Sequence, residues 1–168
     1  QNFIKYTNQK GSGTQLILSH LTLAKSVSDH QIKRSLGRRF TVSLLRDDFN
    51  VFINGSAISE SDALPDFDFR IPEKGMISDS IGGKSVRYWV GFVSGSPLPY
   101  EESGVGVYAH GKIAQDRPFY FQIPGKDVHK RYMYAVVEAD WIDEFEEDLI
   151  GTDRSTIDWD NEQVQPLL

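Results

Sequence analysis

The run from Val86 to Val93 reads Val-Arg-Tyr-Trp-Val-Gly-Phe-Val and puts apolar residues on both faces of an extended chain. A strand that is apolar on both faces belongs in the middle of a sheet. Further strands are expected at Val105 to Ala109, Pro118 to Ile123 and Tyr132 to Asp140, with a hairpin turn at Ala109-His110-Gly111-Lys112. The first half carries weaker signals. Thr14 to Leu21 reads as a strand with Leu16 and Leu18 on one face, and Phe40 to Arg46 and Phe49 to Ile53 as two short strands around Asp47-Asp48. Asn54-Gly55 marks a turn. Residues 56–84 read as loops around one strand, Phe67 to Ile71. Ser28 followed by Gln31 has the capping-box form, and the helix it opens carries Ile32, Leu36 and Phe40 at helical spacing. Trp89, Phe92, Phe119, Phe121 and Trp141 are the expected core aromatics. The sum is an α+β fold, dominated by sheet, with few helices.

With 168 residues, 39% of them apolar, the chain can build one domain, or one domain and a piece of another. It opens on Gln1 rather than Met, and the expectation is a piece of a longer protein. There is no cysteine, which suits a reducing compartment, so a cytoplasmic setting is expected. No apolar run is long enough to suggest a membrane span. Charge is unevenly placed. Residues 138–162 hold eleven carboxylates and one base, Arg154, whereas the remainder holds seventeen bases and thirteen acids. The acidic end would repel nucleic acid and anionic lipid, so neither is expected as a partner of this segment. Lys33, Arg34, Arg38 and Arg39 ring the expected helix, either as a solvated face or as a contact for an acidic partner or a phosphate backbone.

Several familiar patterns are absent on inspection. Gly82-Gly83-Lys84-Ser85 resembles the end of a phosphate-binding loop, but Ser78 stands where the pattern needs its first glycine and a strand follows instead of a helix. It reads as a turn entering Val86. His20, His30, His110 and His129 have no metal-ligand spacing, and the carboxylates of 143–148 lack the alternation and central glycine of a calcium loop, so no metal site is expected. Asn54-Gly55-Ser56 fits a glycosylation acceptor pattern and is read as a turn. What remains is Arg154, an isolated cation at the end of an acidic loop, just before what reads as a helix start after Ser155. Such a cation can hold an anion such as a terminal phosphate, or pair with its neighbours.

Three segments together resemble a known arrangement. Gly13-Thr14-Gln15-Leu16-Ile17-Leu18 looks like the Gly-Thr and strand that end a nucleotide-binding domain. Gly104 to Ile113 is similar to a glycine, apolar strand and Asn/His-Gly-Arg/Lys hairpin. Glu138-Ala139-Asp140-Trp141 through Asp148-Leu149 to Thr152-Asp153-Arg154-Ser155 looks like a strand leading to an Asp-Leu and a serine-arginine segment. All three resemble GHKL-type ATPases, the histidine kinase-like superfamily of heat-shock chaperones, gyrase, MutL and MORC proteins, in the region after the ATP-binding domain. The chain departs in having Ile-Gly-Thr-Asp where relatives carry Pro-Leu-Asn, and Ser155 where Glu follows the arginine.

The resemblance implies that residues 1–24 are the tail end of a Bergerat-type ATPase domain and 25–168 a transducer with a ribosomal-protein-like α+β fold. It implies that Arg154 reaches across to the γ-phosphate of ATP, with Thr14 and Gly13 near the adenine pocket and Ser155 beside the phosphate. ATP and Mg2+ would be bound mainly by the preceding domain of the same protein, and the segment alone would hold neither. A homodimer is implied as an assembly, and the parent protein would be an ATP hydrolase. Asp153 and Asp158 flank Arg154, so a phosphate is accepted only if they point away. The contrasting expectation is a non-enzymatic interaction module that docks a basic partner on the acidic 138–162 surface.

Overall fold

The computed structural model describes residues 16–17, 19–20, 22, 25, 27–44, 46, 49–122, 124–125 and 127–168. Gly13 and Thr14 lie outside the described residues. The described part of the expected first strand, residues 16–17 and 19–20, is not in a strand.

The chain enters through α1 (Asp29–Arg39). The Ser28 hydroxyl accepts the Gln31 amide while the Gln31 side chain accepts the Ser28 amide, so the expected capping box is present. After a break at Phe40 the helical path resumes as α2 (Thr41–Leu44), where a strand is expected from the sequence. Thr41 Oγ1 donates to the Gly37 carbonyl at 2.8 Å, and the Leu44 amide donates to Phe40. A short apolar run fits either period, and here the preceding helix decides it. Next comes a small hairpin of β1 (Phe52–Ile53) and β2 (Ser56–Ala57), then α3 (Glu60–Ala63). Its turn is the Asn54-Gly55 pair, with φ of 49° and 80°.

The main sheet is built from β3 (Phe69–Ile71), β4 (Ile77–Ile81), β5 (Lys84–Phe92), β6 (Gly104–Ala109), β7 (Lys112–Gln115) and β8 (Met133–Glu138), with α4 (Asp127–Lys130) between the last two. The order is β3-β5-β8-β6-β7, and β4 also pairs with β5. β5 is long enough to take β4 along its first half and β3 along its end. All pairings are antiparallel except β6 with β8, where Gly104 faces Tyr134 and Tyr108 faces Glu138. The Gly82-Gly83 pair is the β4–β5 turn, as expected from the sequence. β4 itself is mostly polar and exposed, so it carries no strand signal.

Both faces of the sheet are covered, as the apolar run of Val86 to Val93 requires. On one face Trp89, Tyr108, Ile113, Tyr134 and Val136 pack with Val42, Leu64 and Leu98. On the other, Val86, Val107, Ala109, Ala114 and Ala139 pack with Ile142, Leu149, Ile150, Ile157, Val164 and Leu167. That second cover comes from the C-terminal segment, which is nearly all turns. Trp89 is deeply buried, Phe119, Phe121 and Trp141 pack at the margin of the second cluster, and Phe92 lies partly exposed against Phe69. The fold is α+β and sheet-dominated, and no helix among the described residues is long and apolar enough to cross a membrane.

Pro118 to Ile123 is not a strand. Phe121 and Gln122 take φ of 46° and 54°, which turns the chain. The aromatics instead meet Trp159, with Phe119 stacked on it at 4.9 Å.

Between these layers lies a buried cation. Arg117 is 6% exposed. Its guanidinium donates to the Gly104 carbonyl, the Tyr108 hydroxyl and, at 2.5 Å, the Ala135 carbonyl, and lies 3.8 Å from the Tyr134 ring centre. Tyr108 passes the link onward by donating to the Arg38 carbonyl at the end of α1, at 2.7 Å. Burial pushes the Tyr134 hydroxyl up to about 12, against the pull of the Arg117 charge. The ring therefore stays neutral at ordinary pH. Gly106 makes room for the arginine, because a Cβ there would come within 2.5 Å of Nη1. Gly106→Ala is therefore expected to destabilise by about 1–3 kcal/mol in urea titration. Combined with Arg117→Ala, its cost should fall below the sum of the two single costs, because the two residues contest one space. Additive losses would show that they do not.

Candidate functional site

Arg154 stands at the tip of a tight loop, not before a helix. Ile150 and Ile157 form an antiparallel bridge, the Gly151 amide donates to Thr156, and the Arg154 amide donates to Gly151 at 2.6 Å. Arg154 takes a φ of 54°, in the left-handed region. The helix start expected after Ser155 is absent, and so are the amides and dipole it would have added. The sequence explains the difference. Ile157 is drawn into the core, and Asp158 and Asn161 bond nearby backbone amides, which favours turns over helix.

The guanidinium has two partners. Nε donates to the Ile113 carbonyl at 3.1 Å and Nη2 to Asp143 Oδ2 at 3.0 Å. Its side chain is 31% exposed. The flanking Asp153 is engaged elsewhere. It accepts the Ser155 hydroxyl at 2.6 Å and the Ser155 amide at 3.1 Å, and these bonds hold its carboxyl below the usual carboxylate range. Asp158 accepts the Asp160 amide. A groove of about 370 Å³ runs beside Arg154 and carries Asp143, Glu146, Glu147 and Asp148. In this conformation Arg154 is thus the cation at the edge of an acidic groove.

Below the loop sits Gln115, 8% exposed. Its oxygen accepts the Ile157 amide at 3.2 Å and the Trp159 indole at 2.9 Å, and its amide nitrogen donates to the Ser155 and Asp116 carbonyls. The Asp116 amide adds a bond to Ser155 O at 2.8 Å. Gln115 can reach the loop because β7 is bulged. Val107 faces Gln115 while Tyr108 faces Ile113, so Ala114 is an extra residue. The sequence reading misses Gln115 and Asp143. The one cue lies in the polar Gln115-Asp116-Arg117 that follows the apolar Ile113-Ala114.

The structure brings two of the three resembling segments together. The His110 amide, in the β6–β7 turn, donates to Asp140 at 2.6 Å, and Arg154 bonds Ile113 on the next strand. The His110 ring lies 3.7 Å from Glu144. The other motif residues are occupied structurally. Lys84 rests on the Trp141 and Phe145 rings at 4.4 and 3.9 Å. On α1, the acidic partner of the basic cluster is the chain itself. Arg34 grips Glu102 with two bonds, Lys33 lies 3.6 Å from Asp62, and Arg38 lies 3.6 Å from Asp116. Among the described residues, no three His, Asp or Glu side chains converge so as to hold a metal ion.

No protein-family model matches the chain, and no solved structure matches it significantly. A curated protein from Herpetosiphon aurantiacus, described as "Putative type II restriction enzyme HgiDII", is 25% identical over 169 residues. The match covers 87% of this chain and 28% of that protein, so the chain spans little more than a quarter of the relative.

Removal of Arg154 should leave the fold in place. Its ion pair is partly exposed, and alanine in a left-handed conformation adds a modest strain, so Arg154→Ala is expected to cost about 1–2 kcal/mol in urea titration. A loss well beyond that range would make the arginine chiefly a structural bond.

Proposed function

We propose that the chain is the transducer segment of a GHKL-type ATPase, in which Arg154 meets the γ-phosphate of ATP held by an ATP-binding domain of the same protein. ATP state would thereby be coupled to domain closure or to dimerisation. The observation that carries this reading is the joining of the two resembling segments at one place. The His-Gly-Lys hairpin and the arginine loop are far apart in sequence, yet they share bonds at His110–Asp140 and Ile113–Arg154. The curated relative, described as a restriction enzyme, supports placing such an ATPase in a DNA restriction system.

Arg154 is a fork of donors at the tip of a loop, which suits phosphate oxygens. ATP and Mg2+ would be held mainly by the ATP-binding domain, and this chain would supply the cation that stabilises charge spreading over the γ-phosphate in transfer. Ser155, with its hydroxyl and amide turned to Asp153, would act by shaping the loop. The acidic groove favours one other reading, an interaction module that docks a basic partner.

The test is ATP turnover by the full-length protein, with Arg154→Lys and Arg154→Ala beside the wild type. Arg154→Ala is expected to lower kcat by about 10³-fold, equivalent to roughly 4 kcal/mol. Lysine keeps the charge but loses the fork, so Arg154→Lys should also fall well below the wild type. Turnover indifferent to Arg154 would overturn the ATPase reading and leave the docking module, to be tested by binding of a lysine-rich peptide.

A further inference from the structure

Arg154 cannot grip a phosphate while its Nη2 is held by Asp143. Two features of the loop indicate how it could change partner. The backbone around it is pinned: Gln115 uses both its oxygen and its amide nitrogen on residues 155–159 and on Asp116, and the Ile150–Ile157 bridge closes the loop's base. The Asp143 contact, by contrast, is a single bond between side chains 31% and 32% exposed. Contacts of this kind are weak and readily exchanged. The Ile113 carbonyl holds Nε, close to the chain, and leaves the far end of the guanidinium to swing.

We propose, on the reading that Arg154 meets the γ-phosphate, that Asp143 is a competing anion that holds the guanidinium on standby. Gln115 is the positioning residue that keeps the loop fixed while the side chain changes partner. ATP binding then exchanges one carboxylate for the phosphate without rebuilding the loop. Asp143 sets how much of the binding is spent on release, and Gln115 sets how well the freed guanidinium is aimed.

The experiment measures affinity for a non-hydrolysable ATP analogue by calorimetry, and turnover, on the full-length protein. Asp143→Asn is expected to tighten analogue binding by about two- to five-fold, the range set by a partly exposed ion pair. The same change made in the Arg154→Ala background should have no effect. Gln115→Met keeps the volume and removes the bonds. It is expected to lower kcat by about ten- to a hundred-fold while KM moves little, as misplacement of a positioned group does. If Gln115→Met fails to fold, Asp143→Asn still decides the matter. Equal tightening with and without Arg154 would mean a general effect of charge and would overturn the proposal. So would a null result at Asp143, or at a folded Gln115→Met, while Arg154→Ala still abolishes turnover; in that case the ATPase reading stands. Turnover that ignores Arg154 overturns both.

Discussion

The buried guanidinium of Arg117 is the constraint around which the sheet and its helical cover are fitted. It has no carboxylate against it in the core; its charge is met by the Gly104 and Ala135 carbonyls, the Tyr108 hydroxyl and the face of Tyr134. Taking an ion out of water costs several kcal/mol, and carbonyl bonds with an aromatic face offset part of it. What such a group contributes is selectivity. It is satisfied only when β6 and β8 lie side by side in the observed register, with Gly106 bare beneath it. Because Tyr108 also bonds Arg38, the same requirement fixes where α1 ends.

The neighbouring residues extend that control to the loop of Arg154. Gln115, Asp116 and Arg117 are consecutive, yet they act in different directions. Arg117 turns inward to the sheet, Asp116 lies near Arg38 of α1, and Gln115 reaches the C-terminal segment. The β7 bulge makes this possible by changing the alternation of side chains just before the three polar residues. One short polar stretch thus ties together the sheet, the first helix and the arginine loop.

The parts of the fold legible in the sequence are those specified locally. The Ser28–Gln31 box, the Asn54-Gly55 turn, the His110-Gly111 turn and the apolar Val86–Val93 run each carry their signal within a few residues. Where the signal is shared with distant partners, local reading goes astray. Phe40 to Arg46 has the composition of a strand, but Thr41 bonds back to Gly37 and prolongs a helix. Pro118 to Ile123 has strand-like aromatics, but they are wanted by Trp159. Ser155 looks like a helix cap, but Asp153 has taken its hydroxyl. At the candidate site, Arg154 stands out by charge contrast alone. Its partner Asp143 is 11 residues away, and Gln115 is 40 residues from Ser155, so no spacing rule marks either one.

The single parallel pairing, β6 beside β8, has a consequence for how such a chain can vary. Both strands run the same way, so the hairpin after β6 and the acidic segment after β8 leave the sheet at a common rim. The connection from β7 back to the start of β8 comes in at the opposite rim. Insertions or deletions in that return path would therefore accumulate at the far side of the molecule. The chain can be lengthened there without disturbing the rim where hairpin and arginine loop meet, and two halves of its surface can diverge at different rates.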